Sequence, residues 1–317
     1  MAAIGGRRVT LIALPDAAML ERLSPAPDGV DYTVWSLGDA PRPDRFDLLV
    51  LPYMIPAPRL AELAGQDATV VQAQMLGFDG VAEHLPPGHL YCNAVDVHEA
   101  ATGELALALI LASQRGIPDF VRAAATDAAD DGRWAHARYP GLALQRVLVL
   151  GVGGVGRQVA DRLVPFDVDL MRVARSARTD DLGPVHAWSD LESLLPTADI
   201  VVLAVPLDDS TRGLVSTVFL AALKPGALLV NVSRGPVVDT AALTASVAAG
   251  RMRAAVDVTD PEPLPADHPL WSLPGALISP HVGGDVGSMA LRMDRLLREQ
   301  IALVAAGERP KNVVLET

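Results

Sequence analysis

Short apolar runs punctuated by proline and glycine open the chain. RRVTLIAL, FDLLVLP and ATVVQAQ are separated by turn-rich stretches and helix-like segments such as Pro58 to Leu63. Runs of this length bounded by breakers are strands, so residues 1 to about 97 are expected to form a small α/β unit. From about His98 to Ala125 the spacing becomes helical through Leu105, Leu109 and Ile110, with no proline before Pro118. One long helix joining two domains is expected there. Beyond Arg146, strand and helix alternate strictly, with the apolar strands VLVLG, LMRVA, DIVVLAVP, ALLVNVS, AAVDV and ALISP. Near-continuous β-rich runs between helices predict a parallel sheet covered on both faces, the doubly wound α/β architecture. A helical pattern from about Gly287 to Ala306 follows, and the terminal NVV is expected to return to the first unit as an edge strand. That unit would then be discontinuous, 1–97 plus about 290–317, with 98–289 as the second domain.

Composition narrows the field. The 317 residues are 50% hydrophobic, enough for two cores. The formal net charge of −12 repels phosphate backbones and anionic lipid, so neither nucleic acid nor a membrane surface is an expected partner. Leu105 to Ala112, the longest interior apolar stretch, is far short of the roughly 20 residues that span a bilayer. Arg7 and Arg8 before Val9–Leu14 would suit a signal peptide, but Pro15 and Asp16 end the run too early, and a first strand is the better reading. One cysteine, Cys92, makes neither an internal disulfide nor a structural zinc site; a reducing cytoplasm and no metal are expected.

Candidate chemistry begins at VLVLGVGGVGRQVADRL. Gly151, Gly153 and Gly156 have GxGxxG spacing after a strand and at the mouth of a helix. The first permits a tight turn, the second lets backbone approach a pyrophosphate, and the third allows close helix packing, while the N–H groups of Gly154 and Val155 face the phosphates. NAD-selective versions end the second strand on an acid that accepts from the ribose. Eighteen residues beyond Gly156 stands Ala174, followed by Arg175, Ser176 and Arg178. Two guanidinium groups and a hydroxyl suit the dianionic 2′-phosphate, so NADP(H) is the preferred cofactor expected, with NAD(H) possible; a pair of solvated surface arginines is the alternative.

Three polar residues follow three successive strands: Arg234 after ALLVNVS, Glu262 after AAVDV and His281 after ALISP. Ligands bind at that edge of a doubly wound sheet. Hydride transfer to a 2-keto acid needs a cation for the carboxylate, a proton donor for the developing alkoxide and a group to orient that donor. Arg234, His281 and Glu262 supply these in turn. Taken singly each has an ordinary surface role; together they read as a site.

The blocks GVGGVG, NVSRGPVVDTAAL, AAVDVTDPEPLPADHPLW and SPHVGG resemble, in order and separation, the signature blocks of the D-2-hydroxyacid dehydrogenases. VQAQMLGFDGV resembles that family's substrate loop, and ELALALILASQR the helix before its cofactor domain. The resemblance implies two Rossmann-like doubly wound parallel-sheet domains with the active-site cleft between them, Arg234, Glu262 and His281 as the catalytic set, and a homodimer formed through the linker-helix region. It further implies that backbone at Leu76 and Gly77 holds the substrate carboxylate, that Asp257 meets the nicotinamide carboxamide, and that Thr102, Val205, Pro206, Thr211 and Gly283 line the cofactor. Tyr53 and Met54 are candidate pocket walls, and Trp134 resembles a tryptophan that family dimers offer near the neighbouring site. The wording of the second strand and of DVTDPEPLP looks most like the NADPH-dependent glyoxylate and hydroxypyruvate reductases, which implies a small 2-keto or 2-hydroxy acid substrate. Two departures stand out: Gln145 where the family has a turn glycine, and Leu76 where a smaller residue is usual. A cofactor-sensing corepressor on the same fold is the rival reading, because fold alone does not fix function. Formate dehydrogenases fit less well, since they replace the glutamate by glutamine.

Overall fold

Parallel strands buried on both faces explain the apolar runs. The computed structural model of the protein describes residues 9–125, 134 and 136–317; Arg7 and Arg8 lie outside them. In chain order the first strands and helices are β1 (Thr10–Leu14), α1 (Ala17–Leu23), β2 (Val30–Val34), β3 (Phe46–Val50), β4 (Ala68–Gln72), α2 (Val81–His84) and β5 (Leu90–Cys92). Next come α3 (Glu99–Gln114), α4 (Ile117–Ala124), β6 (Arg146–Leu150), α5 (Gly154–Leu163), β7 (Asp169–Ala174), β8 (Arg178–Asp180), β9 (Gly183–Ala187), α6 (Leu191–Leu194) and β10 (Ile200–Leu203). The chain finishes with α7 (Thr217–Ala222), β11 (Leu228–Asn231), α8 (Thr240–Ala248), β12 (Arg253–Val256), β13 (Ala276–Ile278), α9 (Met289–Ala305) and β14 (Val313–Glu316). Contacts divide it into two units, Met1–His98 with Gly287–Thr317, and Glu99–Val286.

In the first unit the described residues form a six-stranded sheet in the order β14-β5-β4-β3-β1-β2. Strand alternation sorts its side chains. Ile12, Leu14, Leu48 and Val50 pack with Met19, Leu23, Met293, Leu297 and Ile301 of α1 and α9. Ala13, Leu49 and Val71 face the other way, onto Leu60, Leu63 and Val81. The terminal strand β14 does join this sheet, antiparallel to β5.

The second unit carries an eight-stranded sheet among its described residues, ordered β13-β12-β11-β10-β6-β7-β9-β8. Val147, Val149, Val202 and Val230 pack against α3 and α5 through Ala106, Leu109, Ile110, Val159 and Leu163. Leu148, Leu150, Leu203 and Leu229 meet Phe219, Leu220, Leu243 and Val247 on the opposite face. Fully burying each such side chain contributes about 1.5–3 kcal/mol. Strand order reverses at β6, whose neighbours are β7 and β10. The carboxyl ends of these strands therefore form the switch-point crevice where such sheets bind ligands.

The parallel-dominant doubly wound architecture is as expected, and three details differ from the sequence reading. Both sheets are mixed, because β14 and β8 pair antiparallel at their edges. The single long helix is two: α3 stops at Gln114, Gly116 takes φ 66, and Pro118 opens α4. A Cβ on Gly116 would run into the Tyr139 ring, so glycine both turns the chain and makes room for the aromatic. The turn before β6 places its left-handed residue at Leu144, φ 65, one position ahead of Gln145; Leu144 is 79% exposed.

Candidate active site and cofactor cradle

The glycine loop behaves as its spacing requires. Gly151 has φ 93, and a Cβ there would collide with the Ala204 carbonyl. A Cβ on Gly156 would strike the carbonyl of Gly151, so α5 starts as close to β6 as backbone allows. At Gly153 nothing lies within 4 Å of where a Cβ would stand. Gly153 caps α5, and Gly154, Val155 and Gly156 supply first-turn N–H groups, which have no partner within a helix. Open space above orphan donors at a positive helix end fits a dinucleotide pyrophosphate.

Ala174 ends β7, as the count from Gly156 anticipates, so that strand offers no carboxylate at its tip. Arg175 and Ser176 follow, exposed, and Arg178 begins β8. The β8–β9 hairpin is held by a buried arginine, Arg172, 1% exposed, whose guanidinium grips Asp180 through two hydrogen bonds of 2.7 and 2.8 Å. Arg157 of α5 clamps the following Asp181 in the same bidentate way. Val205 is buried, Pro206 is exposed, and Thr211 is buried with its hydroxyl engaged inside its own loop, donating to the Pro206 carbonyl and accepting from the Asp208 amide.

Arg234, Glu262 and His281 come together in the second unit. Nδ1 of His281 stands 2.5 Å from Oε1 of Glu262. Arg234 is near enough to act electrostatically on both, and its Nη1 donates to the Ser233 carbonyl at 2.7 Å. The Glu262 hydrogen bond raises the pKa of His281 above the ordinary 6.5, although burial and the Arg234 charge oppose the rise. For Glu262 burial pushes upward most strongly, yet the His281 hydrogen bond and charge, the Thr259 amide and Arg234 together bring its carboxyl below 4.5. A carboxylate facing an imidazolium is the form favoured. Such a pair can donate and recover a proton, and the neighbouring guanidinium can bind a carboxylate.

Of the supporting residues, Asn231, Ser233 and Gly235 were not singled out by sequence reasoning, whereas Asp257, Thr102 and Gly283 were. Asn231, 1% exposed, accepts from the amide and hydroxyl of Ser233 and donates to the Arg234 carbonyl, folding the loop behind that arginine. Gly235 presses on the backbone of Thr259 and Asp260, where no Cβ fits, so the loops bearing Arg234 and Glu262 pack face to face. Asp257, 3% exposed, accepts from Ser279, Val282 and Gly283, while its carbonyl accepts from the His281 amide. His281 itself sits at φ 53, a conformation this netting holds in place. Thr102 lies beside Gly283: a Cβ on that glycine would crowd both Thr102 and Asp257. Asn at the end of a strand with Ser two residues on signals a side-chain-closed turn, and that was the available clue to Asn231.

Of the remaining candidates, Leu76, Gly77, Tyr53 and Met54 lie in the first unit and Trp134 in the second. Leu76 and Gly77 are half-buried, and the Leu76 carbonyl accepts from Asn93 at 2.8 Å. Tyr53 stacks on His98 with ring centroids 6.0 Å apart, and Met54 is exposed with φ 57. Trp134 is 88% exposed, and the residues on either side of it lie outside those described.

The sequence pattern of the D-isomer specific 2-hydroxyacid dehydrogenase NAD-binding domain matches residues 107–283, more than half of the chain. The chain belongs to the D-2-hydroxyacid dehydrogenase family. It is accordingly an NAD(P)-dependent oxidoreductase acting on CH–OH groups. Among relatives, the human glyoxylate reductase/hydroxypyruvate reductase is 32% identical over 236 residues, 71% of this chain and 70% of that protein. A D-3-phosphoglycerate dehydrogenase of Mycobacterium bovis is 32% identical over 327 residues, covering 94% of this chain and 58% of that longer protein. A crystal structure of a D-isomer specific 2-hydroxyacid dehydrogenase from Xanthobacter autotrophicus Py2, in complex with NADPH and MES, superimposes with a TM-score of 0.78 at 27% identity, covering 97% of this chain and 98% of that one. Among the described residues, no helix is long and apolar enough to cross a membrane.

Proposed function

We propose that the chain reduces a small 2-keto acid of the glyoxylate or hydroxypyruvate kind to the corresponding 2-hydroxy acid, using NADPH in preference to NADH. The observation that carries this reading is the His281–Glu262 pair with Arg234 beside it. When bound, the nicotinamide dinucleotide supplies the hydride. Arg234 holds the substrate carboxylate and polarises the keto group; His281 delivers a proton from its ring to the developing alkoxide; Glu262 keeps the imidazole charged and oriented until then. In oxidation the same ring accepts the proton. Asp257 orients the loop of His281 and meets the carboxamide, with Thr102 and Gly283 beside it; Gly151 to Gly156 hold the pyrophosphate, and Val205, Pro206 and Thr211 flank it. Arg175, Ser176 and Arg178 receive the 2′-phosphate. Leu76 and Gly77 retain the carboxylate-binding role, and Tyr53 and Met54 the pocket wall.

The same proposal places the protein in the cytoplasm as a homodimer. Support for the dimer comes from α4, which buries none of its residues and exposes Ile117, Phe120 and Val121 together. Sedimentation as a monomer at micromolar concentration would remove this part. The deciding experiment follows NADPH oxidation, with NADH in parallel, against glyoxylate, hydroxypyruvate, pyruvate, phenylpyruvate and 2-ketoisocaproate. Turnover with NADPH and a small keto acid that is lost in His281→Ala supports the reading. Equal use of NADH, unaltered by Arg175→Ala, overturns the cofactor preference; silence with every keto acid despite cofactor binding overturns the catalytic assignment.

A further inference from the structure

Arg175 already has a partner within the protein. Its Nη2 donates to Oδ2 of Asp208 at 3.0 Å. The two residues come from loops on either side of β6: Arg175 follows β7, and Asp208 follows β10. They join at the carboxyl edge of the sheet, the same edge that carries the glycine loop. Asp208 is fixed there rather than loosely placed. Its Oδ1 accepts from the amide and hydroxyl of Ser210, its amide donates to the Thr211 hydroxyl, and its carbonyl accepts from the amides of Thr211 and Arg212. The Ser210 hydroxyl foremost, together with the Ser210 amide and Arg175, keeps the carboxyl below its ordinary pKa despite desolvation, so it is charged at neutral pH.

We infer that Asp208 is a built-in rival of the cofactor's 2′-phosphate, sharing Arg175 and setting negative charge beside the phosphate position. This rests on the reading of Arg175 as a 2′-phosphate ligand. With NADPH, Arg175 must leave or divide its bond to Asp208, and the phosphate gains a like-charged neighbour. With NADH there is no phosphate to repel, and the Arg175–Asp208 pair stays whole. The chain therefore discriminates between the two cofactors less than Arg175 and Arg178 alone would dictate. Asp208 is a specificity-determining residue that lowers NADPH preference, and the missing acid at Ala174 is partly replaced by one reaching in from the next loop.

The substitution that isolates this is Asp208→Asn, which removes the charge but keeps Oδ1 as acceptor for Ser210. Calorimetric titration of the full chain with adenosine 2′-monophosphate, and with adenosine 5′-monophosphate as reference, reads the effect without turnover. Asp208→Asn is expected to tighten the 2′-phosphate nucleotide about five- to tenfold, the size of one like-charge contact near a solvated surface, and to leave the 5′ nucleotide unchanged. The KM for NADPH should fall in step while that for NADH holds. Asp208→Ser, which also removes the charge, should act in the same direction. Unchanged or weaker 2′-phosphate binding in both variants, or equal tightening of both nucleotides, overturns the inference. Arg175→Ala separates the two levels: if it weakens the 2′ nucleotide while the Asp208 variants do nothing, Asp208 is no rival and the cofactor reading stands. If Arg175→Ala also does nothing, the 2′-phosphate site itself is wrong.

Discussion

His281 Nδ1 lies 2.5 Å from Glu262 Oε1, and both side chains remain partly open to solvent. The pair works through charge, so its consequences depend on pH. Glu262 raises the pKa of His281, and keto-acid reduction requires the protonated ring. In Glu262→Gln the alkaline limb of the reduction profile should move to lower pH, with kcat down about ten- to a hundredfold at pH 8. An unmoved limb would take this role from Glu262. For stability, the raised His281 contributes fully below 6.5 and loses its contribution as pH rises through its raised value. The depressed Glu262 contributes fully above 4.5 and loses its contribution as pH falls through its lowered value. The Tm difference between wild type and Glu262→Gln should therefore be greatest between these two ordinary pKa values, 4.5 and 6.5, and shrink on both sides.

Gly235 allows the arginine and glutamate loops to touch. In Gly235→Ala the new methyl would meet the Thr259 carbonyl and force the loops apart. Overpacking of this kind costs about 1–3 kcal/mol, and a shift of about 1 Å in Arg234 is expected to lower kcat/KM about a hundredfold. Denaturant titration together with initial rates checks both; full activity would mean that the contact carries no positional information.

Asn231 shapes the arginine loop from a buried position. Asn231→Ala leaves the Ser233 amide and hydroxyl and the Arg234 carbonyl without their partner. We expect about 1–3 kcal/mol of lost stability and a rise in keto-acid KM larger than any change in cofactor KM. Equal rises in both would point to general loosening.

Leu144 holds a left-handed backbone while 79% exposed. Its amide donates to the Asp167 carbonyl, which ties the turn in place. Leu144→Gly should relieve roughly 1 kcal/mol of strain and raise the denaturation midpoint, with kinetics unchanged. A lower midpoint would show that the leucine side chain contributes packing greater than the strain.

The strands that carry the site were legible because both faces of each sheet are covered, leaving Val147 to Leu150, Ile200 to Leu203 and Leu228 to Val230 as unbroken apolar runs. Arg234, Glu262 and His281 could be proposed for a related reason: each follows a strand by three to six residues, on the loops where such sheets bind ligands. The β8–β9 hairpin was hidden, since RTD and GPVHA lack a hydrophobic pattern and depend on the buried Arg172–Asp180 bond for order. The break at Gly116 had its signal in Gly116 and Pro118, but the reason that position must be glycine, the ring of Tyr139, is distant in sequence. Asp208 lay beyond reach for the same reason: only the neighbouring positions of β7, β6 and β10 bring it to Arg175.

The pairing of β14 with β5, and the packing of α9 on β1 and β3, have a consequence for the order of events on the ribosome. The face of Ile12, Leu14, Leu48 and Val50 gains Met293, Leu297 and Ile301 only after Glu99–Val286 has been synthesised. The inserted unit is complete in one stretch and can fold as it emerges, while the opening segment waits with an apolar face and an unpaired strand edge. The segment made before the inserted unit is finished only after it, and during that interval it keeps the apolar surface and open strand edge that invite aggregation.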